Sequence, residues 1–292
     1  MKWKADWGLR ARMGLTMFLL FALYIVFAVV LVEILDFAPF VMLLILGGFS
    51  FAQFFFSDRL TLWSMGAHEV SESEYPELHG MVSRLSQQAD LPKPKVAVSQ
   101  TRVPNAFATG RSQKKAAVCV TTGLMQTLNQ EELEGVIAHE LAHVKNRDVM
   151  VMTIASFLST IAFMVVRWGW LFGGGGDNRN QAPVWVAILA SFVVWIVSYI
   201  LIRALSRYRE YAADRGGATI TGKPSALASA LLTIDGRMDR VPKEDLREEA
   251  EMNAFFIIPI KSGFIGKLFS THPSTERRVE RLREMEREME SY

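Results

Sequence analysis

The run His139-Glu140-Leu141-Ala142-His143 sets two imidazoles four residues apart with a carboxylate beside the first. On a helix, positions four apart share a face, so both rings can reach one tetrahedral ion while Glu140 stands next to them. A zinc ion so held lowers the pKa of a bound water, and the neighbouring carboxylate takes its proton as the water attacks a peptide carbonyl. A five-residue pattern with three fixed positions also arises by chance in about 1% of chains this long, so its surroundings matter. Asn129 can cap a helix, Glu132 completes a capping box three residues later, and Leu133, Val136 and Ile137 supply an apolar face. The motif therefore falls on a helix, as the chemistry requires.

A catalytic zinc takes three protein ligands and keeps one position open for water. The metzincin extension would need glycine at 146 and histidine at 149, but Asn146 and Val149 stand there. His68 and His79 have no metal-like spacing and read as ordinary surface or interfacial histidines. A later segment offers Glu210 with Asp214 four residues on. Glu210 can bind the metal while Asp214 orients a ligand imidazole; equally, the two can form a solvated acidic face on a helix leaving a membrane.

The elements that must position these groups are partly membrane-embedded. Half of the 292 residues are hydrophobic and the net charge is +2, which points to a membrane protein and gives nucleic-acid binding no support. The single cysteine, Cys119, excludes a disulfide framework and reads as a packed strand residue between Val118 and Val120. Residues 1–56 form an N-terminal hairpin with spans at about 14–32 and 37–56. Residues 57–148 form a polar segment carrying the histidine motif. Residues 149–202 form a second hairpin, with spans at about 149–166 and 184–202 and a flexible loop around Gly173–Gly176, and residues 203–292 form a second polar segment.

Within the first polar segment, Glu74–Ala89 reads as an amphipathic helix and Lys95–Ser99 and Ala116–Thr122 as strands, separated by a loop from Val103 to Gly110. The helix bearing the histidines is expected to continue into the third span. The second polar segment reads as helices over Ser206–Ala218, Pro224–Ile234 and Ser274–Met289, with a charged, mobile stretch at Asp235–Met252. Lys2, Lys4, Arg10, Arg12, Lys145, Arg147, Arg203, Arg207 and Arg209 fall on one side of four crossings, which places both termini and both polar segments in the cytosol. His143 and Glu210 then lie on the same side, each roughly 10 Å beyond a span end at about 1.5 Å per helical residue. The spans carry no charge, which disfavours a transporter. The strand Ala116–Thr122 is expected to offer its edge to an extended peptide, with Val120→Pro blocking cleavage.

With these residues together, the chain resembles the membrane zinc metalloproteases of the HtpX heat-shock type, which are related to the CAAX prenyl protease family. The resemblance rests on Pro104-Asn105-Ala106-Phe107-Ala108, Thr121-Thr122-Gly123-Leu124, the histidine motif, Arg209-Glu210-Tyr211-Ala212-Ala213-Asp214, and Thr271-His272-Pro273 with Arg278. It implies that His139, His143 and Glu210 bind one zinc per chain, that Glu140 is the catalytic carboxylate, and that Asn105, His272 and Arg278 line the cleft, His272 as a candidate oxyanion partner. The N-terminal sequence and Asp235–Met252 match no pattern of that family. The expected fold is a multi-pass α-helical membrane protein with a cytosolic α+β gluzincin-like zinc metallopeptidase domain. The expected role is endopeptidase cleavage of misfolded or unassembled membrane proteins in the cell (plasma or inner) membrane, in quality control or stress response. Its partners are unfolded polypeptides and the lipid bilayer, with no nucleic acid. The competing reading is a non-catalytic membrane scaffold with a structural metal site, which the presence of Glu140 disfavours.

Overall fold

Two Val-rich runs form the centre of one sheet, and amphipathic runs of helical period cover it. The computed structural model describes residues 7–35, 48, 55, 56, 59, 61–156, 159, 162, 163, 181–238 and 273–291. The expected span at 37–56 lies almost entirely outside these residues, as does the second half of the expected span at 149–166. The Gly173–Gly176 loop, residues 239–252 and His272 lie outside them altogether. The chain divides into two compact units, one of Met1–Lys4, Phe56–Val149 and Arg207–Tyr292, the other of Ala5–Phe55 and Met150–Ser206.

The first unit is α+β. Its strands are β1 (Ala67–Glu69), β2 (Lys95–Ser99), β3 (Ala106–Thr109) and β4 (Ala117–Thr121), arranged in the order β1-β2-β4-β3. β2 and β4 run parallel, and the outer strands pair antiparallel. Every residue of β4 is buried, which is why its Ala-Val-Cys-Val run lacks the polar alternation of a half-exposed strand. Cys119 sits in that strand, fully buried, and burial pushes its thiol up to about 12, so it packs and does not react.

The described helices of this chain are α1 (Trp7–Leu35), α2 (Pro76–Gln88), α3 (Thr122–Thr127), α4 (Gln130–Asn146), α5 (Gln181–Thr221), α6 (Pro224–Met238) and α7 (Thr275–Glu290). α2 starts on a proline and buries Leu78, Met81, Val82 and Leu85. α4, α6 and α7 bring Ile137, Leu141, Leu227, Leu231 and Leu282 into the same core. At about 1.5–3 kcal/mol for each fully buried large aliphatic side chain, this packing holds the helices on the sheet.

Five features differ from the sequence expectations. Residues 106–109, read as part of the loop from Val103 to Gly110, form β3, because Asn105 and Thr121 exchange backbone and hydroxyl hydrogen bonds that zip the segment onto β4. Ala106 and Ala108 offset the strand preference of Phe107 and Thr109, and pairing with β4 decides. As a consequence β4 is an interior strand, and β3 occupies the edge that Ala116–Thr122 was expected to offer. α4 does not continue into the following apolar run; it stops at Asn146, with Arg147 in the left-handed conformation (φ 56, ψ 40), and a new helical segment occupies 148–156. The helix at 206–218 is no separate element but the second half of α5, and α6 runs on to Met238, so 235–238 is helical.

The second unit packs Leu20 and Tyr24 of α1 with Ala155 and with Leu205 of α5. The Tyr24 hydroxyl donates to the Ala155 carbonyl at 2.6 Å. On their other faces α1 and α5 expose Phe18, Phe21, Val26, Leu189 and Val193, all large and apolar. Trp7–Phe27 and Ile188–Thr221 contain stretches long and apolar enough to cross a membrane by length and composition.

Candidate metal centre

α4 is anchored before its chemistry begins. Asn129 Oδ1 accepts the Glu132 N–H at 2.9 Å, and Glu132 returns a bond to the Asn129 N–H at 3.1 Å, the capping box expected from the sequence. The other Glu132 oxygen accepts from Ser229 and Thr233 of α6, so the cap also ties α4 to its neighbour. About three to four turns after Asn129 the helix buries His139 and Glu140 and half-buries His143.

α5 crosses α4 at this point because Gly217 permits it. A Cβ at that position would lie 2.9 Å from the His139 nitrogen and 3.0 Å from its Cα. The close approach brings Glu210 and Asp214 of α5 into the site, both buried. Nε2 of His139 lies 3.1 Å from Nε2 of His143. Glu210 places one oxygen 3.6 Å from the first and the other 3.5 Å from the second. Donors at about 2.0–2.2 Å from a tetrahedral zinc would lie about 3.3–3.6 Å from one another, and the observed separations are of that size.

The hydrogen bonding around the rings points the same way. His139 Nδ1 faces Asp214 Oδ1 at 3.1 Å, and His143 Nδ1 faces Asp148 Oδ2 at 2.5 Å. A carboxylate only accepts, so the hydrogen bond from His143 Nδ1 to Asp148 leaves the Nε2 lone pair of that ring for the site, and His139, with Asp214 at ion-pair distance from its Nδ1, presents Nε2 to the same space. Three converging Lewis bases in a buried site call for a cation between them. Burial alone would lower the His139 pKa, but hydrogen bonds to Asp214 and Glu210 outweigh it and raise it to about 9, so a proton and a metal ion compete for the Nε2 of this ring.

Both relay carboxylates rest on arginines. Arg278 of α7, 1% exposed, holds Asp214 with Nε at 2.9 Å and Nη2 at 2.6 Å. It also reaches within 3.5 Å of Glu210 and 3.4 Å of His139 Nε2. Arg209 Nε lies 3.0 Å from Asp148 Oδ1. Burial raises the Glu140 carboxyl above the ordinary carboxylate range, against the pull of His139 and His143. A carboxylate so placed is suited to carry a proton both ways.

The outer edge of β3 lies against Glu140. Thr121 N–H bonds the Asn105 carbonyl, so the antiparallel ladder turns the backbone groups of Asn105, Phe107 and Thr109 toward β4 and those of Ala106 and Ala108 outward. The Ala108 backbone hydrogen bonds to the Glu140 carboxyl from that outer edge. Asn105 itself is fully buried where the chain enters β3.

The structure thus brings together His139, Glu140, His143, Glu210, Asp214 and Arg278 from the sequence reading, puts Asn105 at the start of the adjoining strand, and leaves His272 outside the described residues. Among the described residues, the His139, His143 and Glu210 donors form the one group able to hold a metal, and neither His68 nor His79 belongs to it. Asp148, Arg209 and Gly217 were missed. Asp148 carried a signal, an acid five residues after the second histidine, but it reads as the boundary of an apolar run. Gly217 carried one too, as half of a Gly-Gly pair inside a helical pattern.

The profile of peptidase family M48 matches residues 72–286. A protein named protease HtpX homolog 2, from Methanosarcina acetivorans, is 58% identical over 291 residues, 99% of each chain. One named protease HtpX homolog, from Moorella thermoacetica, is 56% identical over 295 residues, 98% of this chain and 97% of the other. The crystal structure of S. mikatae Ste24p superposes with a TM-score of 0.55 over 94% of this chain and 66% of that one, at 16% identity, which is a likeness of fold.

Proposed function

The chain belongs to peptidase family M48, and on that premise we propose that it is a membrane-bound zinc endopeptidase whose ion is held by His139, His143 and Glu210. The convergence, from two distant chain segments, of two imidazole nitrogens 3.1 Å apart and a carboxylate whose oxygens lie 3.6 and 3.5 Å from them carries this reading. Two imidazoles with one carboxylate form a zinc donor set that leaves a position for water. When bound, zinc supplies a Lewis acid that acidifies a water and polarises a scissile carbonyl.

The chain's own groups do the rest. Glu140, buried beside the two histidines, takes a proton from the attacking water and returns it to the leaving amine. Asp214 and Asp148 keep each ligand ring in the tautomer that offers Nε2. The outward backbone groups of Ala106 and the outward carbonyl of Ala108, whose N–H serves Glu140, pair with an extended substrate, a mode of binding that demands little of the substrate's sequence. His272 remains the candidate oxyanion partner by resemblance alone.

Apolar stretches at Trp7–Phe27 and within Ile188–Thr221 support a membrane setting. The charge bias across four crossings supports a plasma or inner membrane protein with both termini and the metal centre in the cytosol. An active centre outside the bilayer suits exposed cytosolic segments of misfolded or unassembled membrane proteins, a role in quality control under stress. Purified in detergent, the wild type is expected to cleave casein, and Glu140→Gln to keep its metal while losing about 100-fold or more in rate. A Glu140→Gln enzyme of comparable activity would reject the proposal.

A further inference from the structure

The two ligand histidines are held by parallel relays, and the second is built by an irregular piece of backbone. His139 leans on Asp214 and Arg278; His143 leans on Asp148 and Arg209. Asp148 follows His143 by five residues, and on an uninterrupted helix it would point about 140° away from it. It reaches His143 because α4 ends at Asn146 and Arg147 adopts φ 56, ψ 40, with its N–H closing on the Val144 carbonyl at 3.1 Å. Left-handed backbone is uncommon for a residue other than glycine, and here the exposed Arg147 side chain gives no reason for it. What the turn accomplishes is to bring a buried carboxylate back under the ring.

Arg209 gives that carboxylate a second task. It immediately precedes Glu210, the donor from the other chain segment, and its Nε lies 3.0 Å from the Asp148 oxygen that His143 does not use. Asp148 therefore bridges the two sources of ligands, the His143 end of α4 and the Glu210 turn of α5. A slip of α5 by one residue would break the bridge and move Glu210 together.

We propose that Asp148, delivered by the left-handed turn at Arg147 and clamped by Arg209, is a positioning residue that orients His143 and keeps the two ligand-bearing segments in register. The inference rests on the metal-binding reading above.

The test uses the full-length protein in detergent, titrated with zinc against a chromophoric chelator and scanned in the visible after cobalt(II) substitution. Asp148→Asn can offer an N–H to His143 and favours the wrong tautomer; it is expected to weaken zinc about 10- to 100-fold and shift the cobalt bands. Asp148→Glu recovers part of that loss. Arg147→Val, whose branched side chain resists positive φ, weakens zinc to a similar degree, and Arg147→Gly, which accepts the turn, keeps it tight. A structural role alone would lower stability without changing the cobalt spectrum of the folded fraction. Zinc affinity within about twofold of wild type in Asp148→Asn, with unchanged cobalt bands, overturns the inference. If Asp148→Asn does not fold, the Arg147 pair decides, and equal affinity of the valine and glycine variants counts against it. Wild-type protein that binds no zinc at all removes the functional reading instead.

Discussion

Arg278 shows how much of the site is electrostatic scaffolding. Its guanidinium is 1% exposed and spans Asp214, Glu210 and His139. Arg278→Leu would leave Asp214 buried without its fork of donors, and removing one partner of a buried pair costs about 3–5 kcal/mol. Thermal unfolding in detergent is expected to show a lower midpoint, with Arg278→Lys recovering only part because an ammonium cannot bind both oxygens in a fork. An unchanged midpoint in the leucine variant would mean that Asp214 is neutral or solvated. At this scale the sequence was informative wherever helical spacing decides. His139, Glu140 and His143 follow from one motif, and Glu210 with Asp214 from another, because residues four apart share a face. Asp148 was not legible, since its contact depends on a backbone conformation at Arg147 that an arginine does not announce.

Gly217 and β3 matter as parts of elements. Alanine at 217 would set a methyl 2.9 Å from the His139 nitrogen, against backbone that cannot swing aside. Gly217→Ala is expected to destabilise by about 1–3 kcal/mol and, by pushing α5 off α4, to weaken zinc as well. Normal zinc affinity in this variant would show that the helices separate without disturbing Glu210. For the edge strand, Ala106→Pro removes an outward N–H that Glu140 does not use while leaving the ladder to β4 intact, so cleavage should fall sharply with zinc retained. Full activity would exclude β3 as the substrate-binding edge. Helices were read well from periodicity, as with Leu78, Val82 and Leu85 on α2. β3 was not, because Ala106 and Ala108 offset the strand preference of Phe107 and Thr109, and pairing with β4 decides.

Across the whole molecule, the metal centre draws on residues 139–148 and 209–214, which the sequence separates by a long apolar region. Such a site forms only if both segments lie on one side of the membrane. Reporters fused at Gln100 and Tyr292 are expected to read cytosolic, and those after Ile34 and at Gly175 to read the opposite side. Signals from opposite sides for Gln100 and Tyr292 would separate the two groups of ligands. Composition and charge bias carry this expectation, which the reporters test, whereas the convergence of His139, His143 and Glu210 within a few ångströms needed the structure. The most direct measurement is therefore zinc content per chain, by elemental analysis of detergent-purified wild type and Glu210→Ala. One zinc in the wild type and a sharp fall in occupancy in Glu210→Ala are expected, and full retention of zinc by that variant would contradict the assignment of the third ligand.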